Sequence, residues 1–361
     1  MDDADYPFND EFLFTEEDRK TARERFGKIY PALDHDELRT LFAPFDKDAN
    51  DAKTASRWFG FSAVGCVTAA FLVATAGEAF WGDDRFVLWV ICGVSVVFSV
   101  GGILLGAFGV LFANRKEKWL VNRFLTERLR QFHFQFLIAF APDIVEAAES
   151  GQWDAFNAKR ANQLALFKKR VVERRLPIID TLLTDYNHDA WLFPYSEPTL
   201  APGEAATQLF DAYQMLRIER QIRFAEYKLM KRRRSFSRFP RVQAAWLTGI
   251  AMACVFGLVL LHVLIFVSVR YWPAPEKYLS VAAVAAAILA LAARTLEEGL
   301  RPGPEIERYR AYRSALKSIE RRYNEGAAQS DKFKAMASLE TLSYNEMVNF
   351  LKSNYEAHFV M

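Results

Sequence analysis

Cysteine and histidine are scarce. Three cysteines and five histidines serve 361 residues. Cys66, Cys92 and Cys254 all fall in strongly apolar stretches, which excludes a disulfide framework and a thiolate zinc site. His35 and His188 sit in DHD and NHD, yet no second histidine lies at metal-ligand spacing, so each reads as a surface or capping residue. There is no glycine-rich phosphate loop and no nucleophile elbow. No alternation of β-branched residues marks a sheet. These absences argue against an enzyme, a metal protein and a β fold, and they imply no cofactor.

Charge is missing in a more informative way. No Asp, Glu, Lys or Arg occurs in residues 58–77, 86–114, 242–269 and 278–293, although the whole chain carries 46 basic and 44 acidic residues and is 52% hydrophobic. A bilayer core needs about 20 apolar helical residues to cross it. The first three runs meet that length, and the fourth is required to return the basic residues after it to the side from which the third departs. The expectation is an all-α membrane protein: four transmembrane helices in two hairpins, a helical cytoplasmic domain between them, and helical cytoplasmic termini. Lys53 and Arg57 precede the first run, Arg115, Lys116 and Lys118 follow the second, KRRRSFSRFPR precedes the third, and Arg294 and Arg301 follow the fourth. Cytoplasmic flanks carry such an excess, so both termini and the central segment are placed in the cytoplasm and the protein in the inner membrane. Trp58, Trp81, Trp89, Trp246 and Trp272 lie near the expected interfaces. The acidic start MDDADYPFNDEF lacks the basic region of a signal peptide.

This divides the chain into residues 1–55 (N-terminal helices), 56–114 (first hairpin), 115–241 (cytoplasmic helical domain), 242–293 (second hairpin) and 294–361 (C-terminal helices). Thr15 with Asp18 predicts a capped helix start for EEDRKTARERFGKIY, and HDELRTLFAPF a second, short amphipathic piece. Asp46, Asp48 and Asn50 in DKDANDAK have the first spacings of a calcium loop, but Asp51 stands where glycine is needed and Arg57 where glutamate is. That segment therefore reads as a solvated linker. Helices are expected from the second hairpin to about Phe140, through WDAFNAKRANQLALFKKRVVERR, and from Ala205 to about Arg234. ERYRAYRSALKSIERRY and SLETLSYNEMVNFLKSNYE complete the tail.

Three groups of residues carry candidate function. Lys159, Lys168, Lys169, Arg170 and Arg174 concentrate positive charge in a chain of net charge +2, which fits either a solvated helix face or a phosphate-binding site. Cys92, Ser95, Ser99, Gly102, Gly106 and Gly109 form a stripe of small residues on the second span. Such a stripe packs helices closely, within one chain or between subunits around a pore. His262 is a lone ionisable residue in the third span, where an interhelix hydrogen bond is favoured over a gate.

The third group lies in KWLVNRFLTERLRQFHF. Trp119, Arg123, Glu127, Arg130 and Phe134 recur at spacings of four, four, three and four, along one helix face. A two-span hairpin followed by this stripe resembles the SLATT domains of bacterial defence islands, with Trp119, Arg123, Glu127 and Arg130 carrying the resemblance. RIERQIRFAEYKLMKR and LETLSYNEMVNFLK are similar to segments of four-span relatives. The layout also resembles the membrane component of the Hailong antiphage system. The resemblance implies a homo-oligomeric membrane effector that forms an ion channel or pore and is controlled by a nucleotide or single-stranded oligonucleotide ligand made by a nucleotidyltransferase partner. The alternative from another class is a structural or adaptor membrane protein docking a cytoplasmic partner.

Overall fold

The computed structural model describes residues 10–107, 115–173, 190–230, 239–271 and 276–355. Among these residues the regular structure is entirely helical. In chain order the helices are α1 (Glu16–Arg25), α2 (Tyr30–Leu33), α3 (Asp36–Trp81), α4 (Arg85–Gly106), α5 (Arg115–Ala139), α6 (Ala141–Ser150) and α7 (Asp154–Phe167). They continue with α8 (Glu204–Tyr213), α9 (Arg220–Lys228), α10 (Pro240–Tyr271), α11 (Glu276–Leu300), α12 (Pro302–Glu325) and α13 (Gln329–Tyr355). Two wider π turns, Lys168–Val172 and Gln214–Glu219, follow α7 and α8.

Local chemistry explains several boundaries. Thr15 Oγ1 accepts from the Asp18 amide at 3.1 Å while the Asp18 carboxylate accepts from the Thr15 amide at 3.3 Å, so the expected capping box closes. The helix it starts stops at Arg25 rather than continuing to Tyr30. Gly27 intervenes, and Pro31 opens the separate turn α2. Gly151 ends α6 in the left-handed conformation, φ 72°.

The largest departure is α3. The short piece around HDELRTLFAPF and the expected linker DKDANDAK are both parts of one 46-residue helix. Pro44 cannot donate to the carbonyl one turn earlier and ordinarily costs about 3 kcal/mol inside a helix. Here Leu38 and Phe42, both fully buried, hold the turn before it in the core. Asn50 donates to Asp46 at 3.2 Å along the helix face, the ordinary use of a four-residue spacing.

The chain divides into two compact units. One comprises Asp51–Lys118 and Leu229–Glu307, with α4, α10, α11 and most of α3. Four of the helices are long and apolar enough to cross a membrane, and only 17%, 6%, 6% and 11% of their most apolar windows are buried within the chain. Phe71, Val97, Phe256, Phe266 and Leu291 all point outward. A soluble protein would bury such side chains for roughly 1.5–3 kcal/mol each, so this outward apolar surface suggests a membrane-embedded unit. Asp84 caps α4 by accepting from the Phe86 and Val87 amides at 3.0 and 3.1 Å. α3 and α4 then pack antiparallel: Gly77 meets Ile91, Ser95 bonds the Ala70 carbonyl, and Gly102 meets Ala63 and Val67. α10 and α11 pack along each other.

The other unit is built from three separated segments, those before Asn50, from Trp119 to Lys228, and after Arg308. Residues of both terminal segments thus share one core with the central segment. α5 is its axis. From Trp119 to Ile138 nearly every side chain is buried, polar ones included. Phe132 stacks on Phe136 at 5.9 Å and meets Phe167 and Phe193 edge or tilt at 5.1 and 5.3 Å. Gln135 straps the irregular segment after Ala190 to this axis, donating to the Ala190 carbonyl at 2.8 Å and accepting from the Leu192 amide at 2.7 Å.

Candidate functional site

The aromatic and charged stripe of α5 is an interior seam. Trp119 is buried, edge-on to Phe350 of α13 at 5.6 Å. Glu127 bridges Arg123 at 2.5 Å and Arg130 at 2.7 Å. Arg130 also binds Glu11, and its guanidinium lies over the rings of Phe42 and Phe12, 5.5 and 5.9 Å from their centroids. Burial pushes the Glu127 carboxyl up, but the Arg123 and Arg130 guanidiniums outweigh it and hold the group down to about 2. The seam therefore remains charged at neutral pH.

A second ionic node continues it. The π turn Gln214–Glu219 carries Arg217 into the core, where Nε and Nη2 donate to the two Glu340 oxygens at 2.8 and 3.1 Å. The Tyr213 hydroxyl donates to the same carboxylate at 2.9 Å, and Arg217 covers the Phe134 ring at 4.7 Å. Such a forked pair satisfies both charges in a fixed geometry. Phe134, the last member of the sequence stripe, thus stands between the two nodes.

Two histidines lie in this core. Burial, reinforced by Arg160, holds His35 down to about 2 and His133 down to about 3, so both stay neutral. His35 is buried rather than at the surface, and of the two places its DHD context allows it takes the capping one: it directly precedes α3, and its carbonyl accepts from the Arg39 amide at 3.1 Å. The Nε2 atom of His133 is buried, with no hydrogen-bond partner among the described residues.

The basic residues divide. Lys159 is ion-paired with Asp143 at 3.0 Å and lies 4.6 Å over the Phe140 ring. Its neighbour Arg160 donates to the carbonyls of Pro31, Ala32 and Asp34 at 2.9, 3.3 and 3.4 Å, closing the end of α2. Lys168, Lys169 and Arg170 share the π turn after α7. Lys168 is half-buried, while Lys169 and Arg170 are exposed. Arg174 and His188 lie outside the described residues. The α-helix expected through VVERR gives way, as far as Val172, to this wider turn, which carries all three basic residues.

In the apolar unit the small stripe is engaged within the chain. Ser95 donates to the Ala70 carbonyl at 2.9 Å, and Gly102 is buried where an added Cβ would lie 2.7 Å from Val67 Cγ2. Gly106 is looser, 3.9 Å from Ala63 by the same measure. Ser99 is half-buried and Cys92 faces outward. Gly109 lies outside the described residues. Of the two uses open to this stripe, the structure shows the packing of α3 on α4. His262 does not make the expected interhelix bond. It is exposed, with Nδ1 2.8 Å from the Leu258 carbonyl of its own helix.

Glu11, Arg217 and Glu340 were not singled out from sequence. Their partners lie 119 and 123 residues away, so no local spacing announces them. Comparison with known protein families, characterised proteins and solved structures finds no match.

Proposed function

We propose that the chain is an oligomeric ion channel or pore of the bacterial inner membrane, acting in antiphage defence and gated through its helical unit by a nucleotide or short oligonucleotide. The observation that carries this reading is the pairing of one unit with four outward-facing apolar helices and a second unit with its own buried core. Two apolar helices separate each segment of the second unit from the next, so in a bilayer all three segments emerge on one side. The basic flanks make that side the cytoplasm.

Lys168, Lys169 and Arg170 supply the adjacent cations a phosphate chain requires, and Arg174 follows them in sequence. α3 runs from the helical unit, where Arg39 is anchored on Asp34 at 2.5 Å, into the first apolar stretch without a break. It is the natural carrier of motion between ligand and pore. The seam on α5, where the SLATT-like residues Trp119, Arg123, Glu127 and Arg130 lie, keeps the helical unit rigid enough to transmit it.

Reconstitution into liposomes tests the reading directly. Purified protein passes ions across the vesicle wall, and adding short single-stranded oligonucleotides changes the flux. Vesicles that stay sealed under both conditions refute it. The adaptor alternative draws on the engagement of Lys159 and Arg160 within the chain, which leaves fewer free cations for a ligand. It predicts sealed vesicles and capture of a cytoplasmic protein.

A further inference from the structure

Ionisable side chains within a membrane span characteristically face a protein interior or a water-filled cavity. Among the described residues His262 has no such place. It lies on α10, nine residues before Tyr271, about 13 Å from that end at 1.5 Å per residue, and its side chain is exposed. Nδ1 meets the Leu258 carbonyl at 2.8 Å. A carbonyl only accepts, so Nδ1 carries the proton and Nε2 is left as an acceptor with no partner among the described residues. Acyl chains offer no donor, and a polar group left unpaired in hydrocarbon is unfavourable.

Beside the imidazole is an open hollow of about 390 Å³, lined by Leu258, Val259, His262, Val263 and Phe266. Val259, Val263 and Phe266 are 58%, 54% and 75% exposed, so among the described residues nothing closes the hollow.

We infer that this face of α10 turns inward in a homo-oligomer, where other copies of the chain close it around a water-filled passage and His262 is the polar residue of its wall. The inference rests on the pore reading and deepens it by naming the lining helix. The polar demand sets its direction: if the required interior is absent from one copy, further copies must supply it, and water reaching Nε2 supplies the missing donor. Val259 and Phe266 on either side leave the remainder of the wall apolar, a lining that can gate by dewetting.

Single cysteines introduced into a chain freed of Cys66, Cys92 and Cys254 decide the matter. In proteoliposomes, a charged, membrane-impermeant methanethiosulfonate should label His262→Cys and Val259→Cys. It should not label Leu260→Cys, which is equally exposed in one copy but lies on a different side of the helix. A short bismaleimide should link Val259→Cys copies into covalent dimers, the limit for one thiol per copy. Labelling of His262→Cys should also block the ion flux. Val259→Cys keeps the imidazole, so the test survives if the His262 variant misfolds. Inert cysteines at 259 and 262, or equal labelling at 260, overturn the inference even in a conducting protein. Selective labelling with crosslinking but without ion flux upholds the water-facing interface and refutes the channel reading, so the two failures are distinguishable.

Discussion

Arg217 and Glu340 form a forked ion pair, at 2.8 and 3.1 Å, with 1% and 0% of their side chains exposed. Removing one partner leaves the other charge in a core that water does not reach. Arg217→Ala or Glu340→Ala is expected to cost about 3–5 kcal/mol. Replacing both, as Arg217→Met with Glu340→Leu, should recover most of that loss. Chemical unfolding of the full chain in detergent, followed by the four-member cycle, checks this. Single variants as stable as the parent would show that the pair contributes nothing.

Acid should weaken the helical unit in two stages. His35 and His133 titrate near 6.5 when unfolded, but near 2 and 3 in the folded chain. Below pH 6.5 the unfolded chain therefore takes up protons that the folded one refuses, and stability falls with pH by up to about 1.4 kcal/mol per unit per group. Glu127 adds to this below its ordinary value of 4.5, because its folded carboxyl stays ionised down to about 2. Melting temperatures measured from pH 7 to pH 4 should decline throughout, and His133→Phe should flatten the upper stage. A profile level across that window contradicts the assignment.

The two glycines of the small stripe should behave differently. Leucine at Gly102 places its Cβ against Val67 and the α3 backbone and forces the helices apart, an overpacking worth about 1–3 kcal/mol or more. Gly106→Ala fits, with its Cβ at ordinary contact distance from Ala63. Thermal aggregation in detergent should move sharply for the first and little for the second. Equal shifts would mean that α3 and α4 do not pack this way.

Charge reversal separates the basic residues. Lys169→Glu with Arg170→Glu should abolish binding of a short oligonucleotide. Binding by the parent should weaken steeply between low and physiological salt. Lys159→Gln should bind nearly as the parent does, since that ammonium already faces Asp143. Fluorescence anisotropy over a salt series provides the measurement. Unchanged binding in the double variant would assign the π turn to solvent.

Much of this architecture is written in short-range signals. Charge-free runs announce the four apolar helices, and Thr15 with Asp18 announces a cap, because each depends on neighbours within a turn or within one span. The stripe on α5 was equally visible as a spacing, yet its environment was not. Arg123, Glu127 and Arg130 look solvent-facing until Glu11 and the aromatic rings of Phe12 and Phe42 are brought to them by tertiary packing. α3 was hidden for the opposite reason. Proline and a polar segment suggest an interruption locally, and only the burial of Leu38 and Phe42 reveals that the helix continues. His262 was expected to bond a neighbouring helix, but its Nδ1 meets the Leu258 carbonyl of its own helix, a four-residue relation that the spacing alone does not single out.

The three-segment construction of the helical unit also sets an order of manufacture. A ribosome releases Arg217 long before it releases Glu340, and both α10 and α11 are synthesised in the interval. Until α13 emerges, the nascent chain carries an unneutralised guanidinium where its mature core will be, so the unit reaches its final state only after the last apolar helix has been made. A truncated product lacking α13 is thereby marked by its own uncompensated charge and exposed core, the kind of surface on which proteases and chaperones act. In this way synthesis of α13 is coupled to competence of the unit.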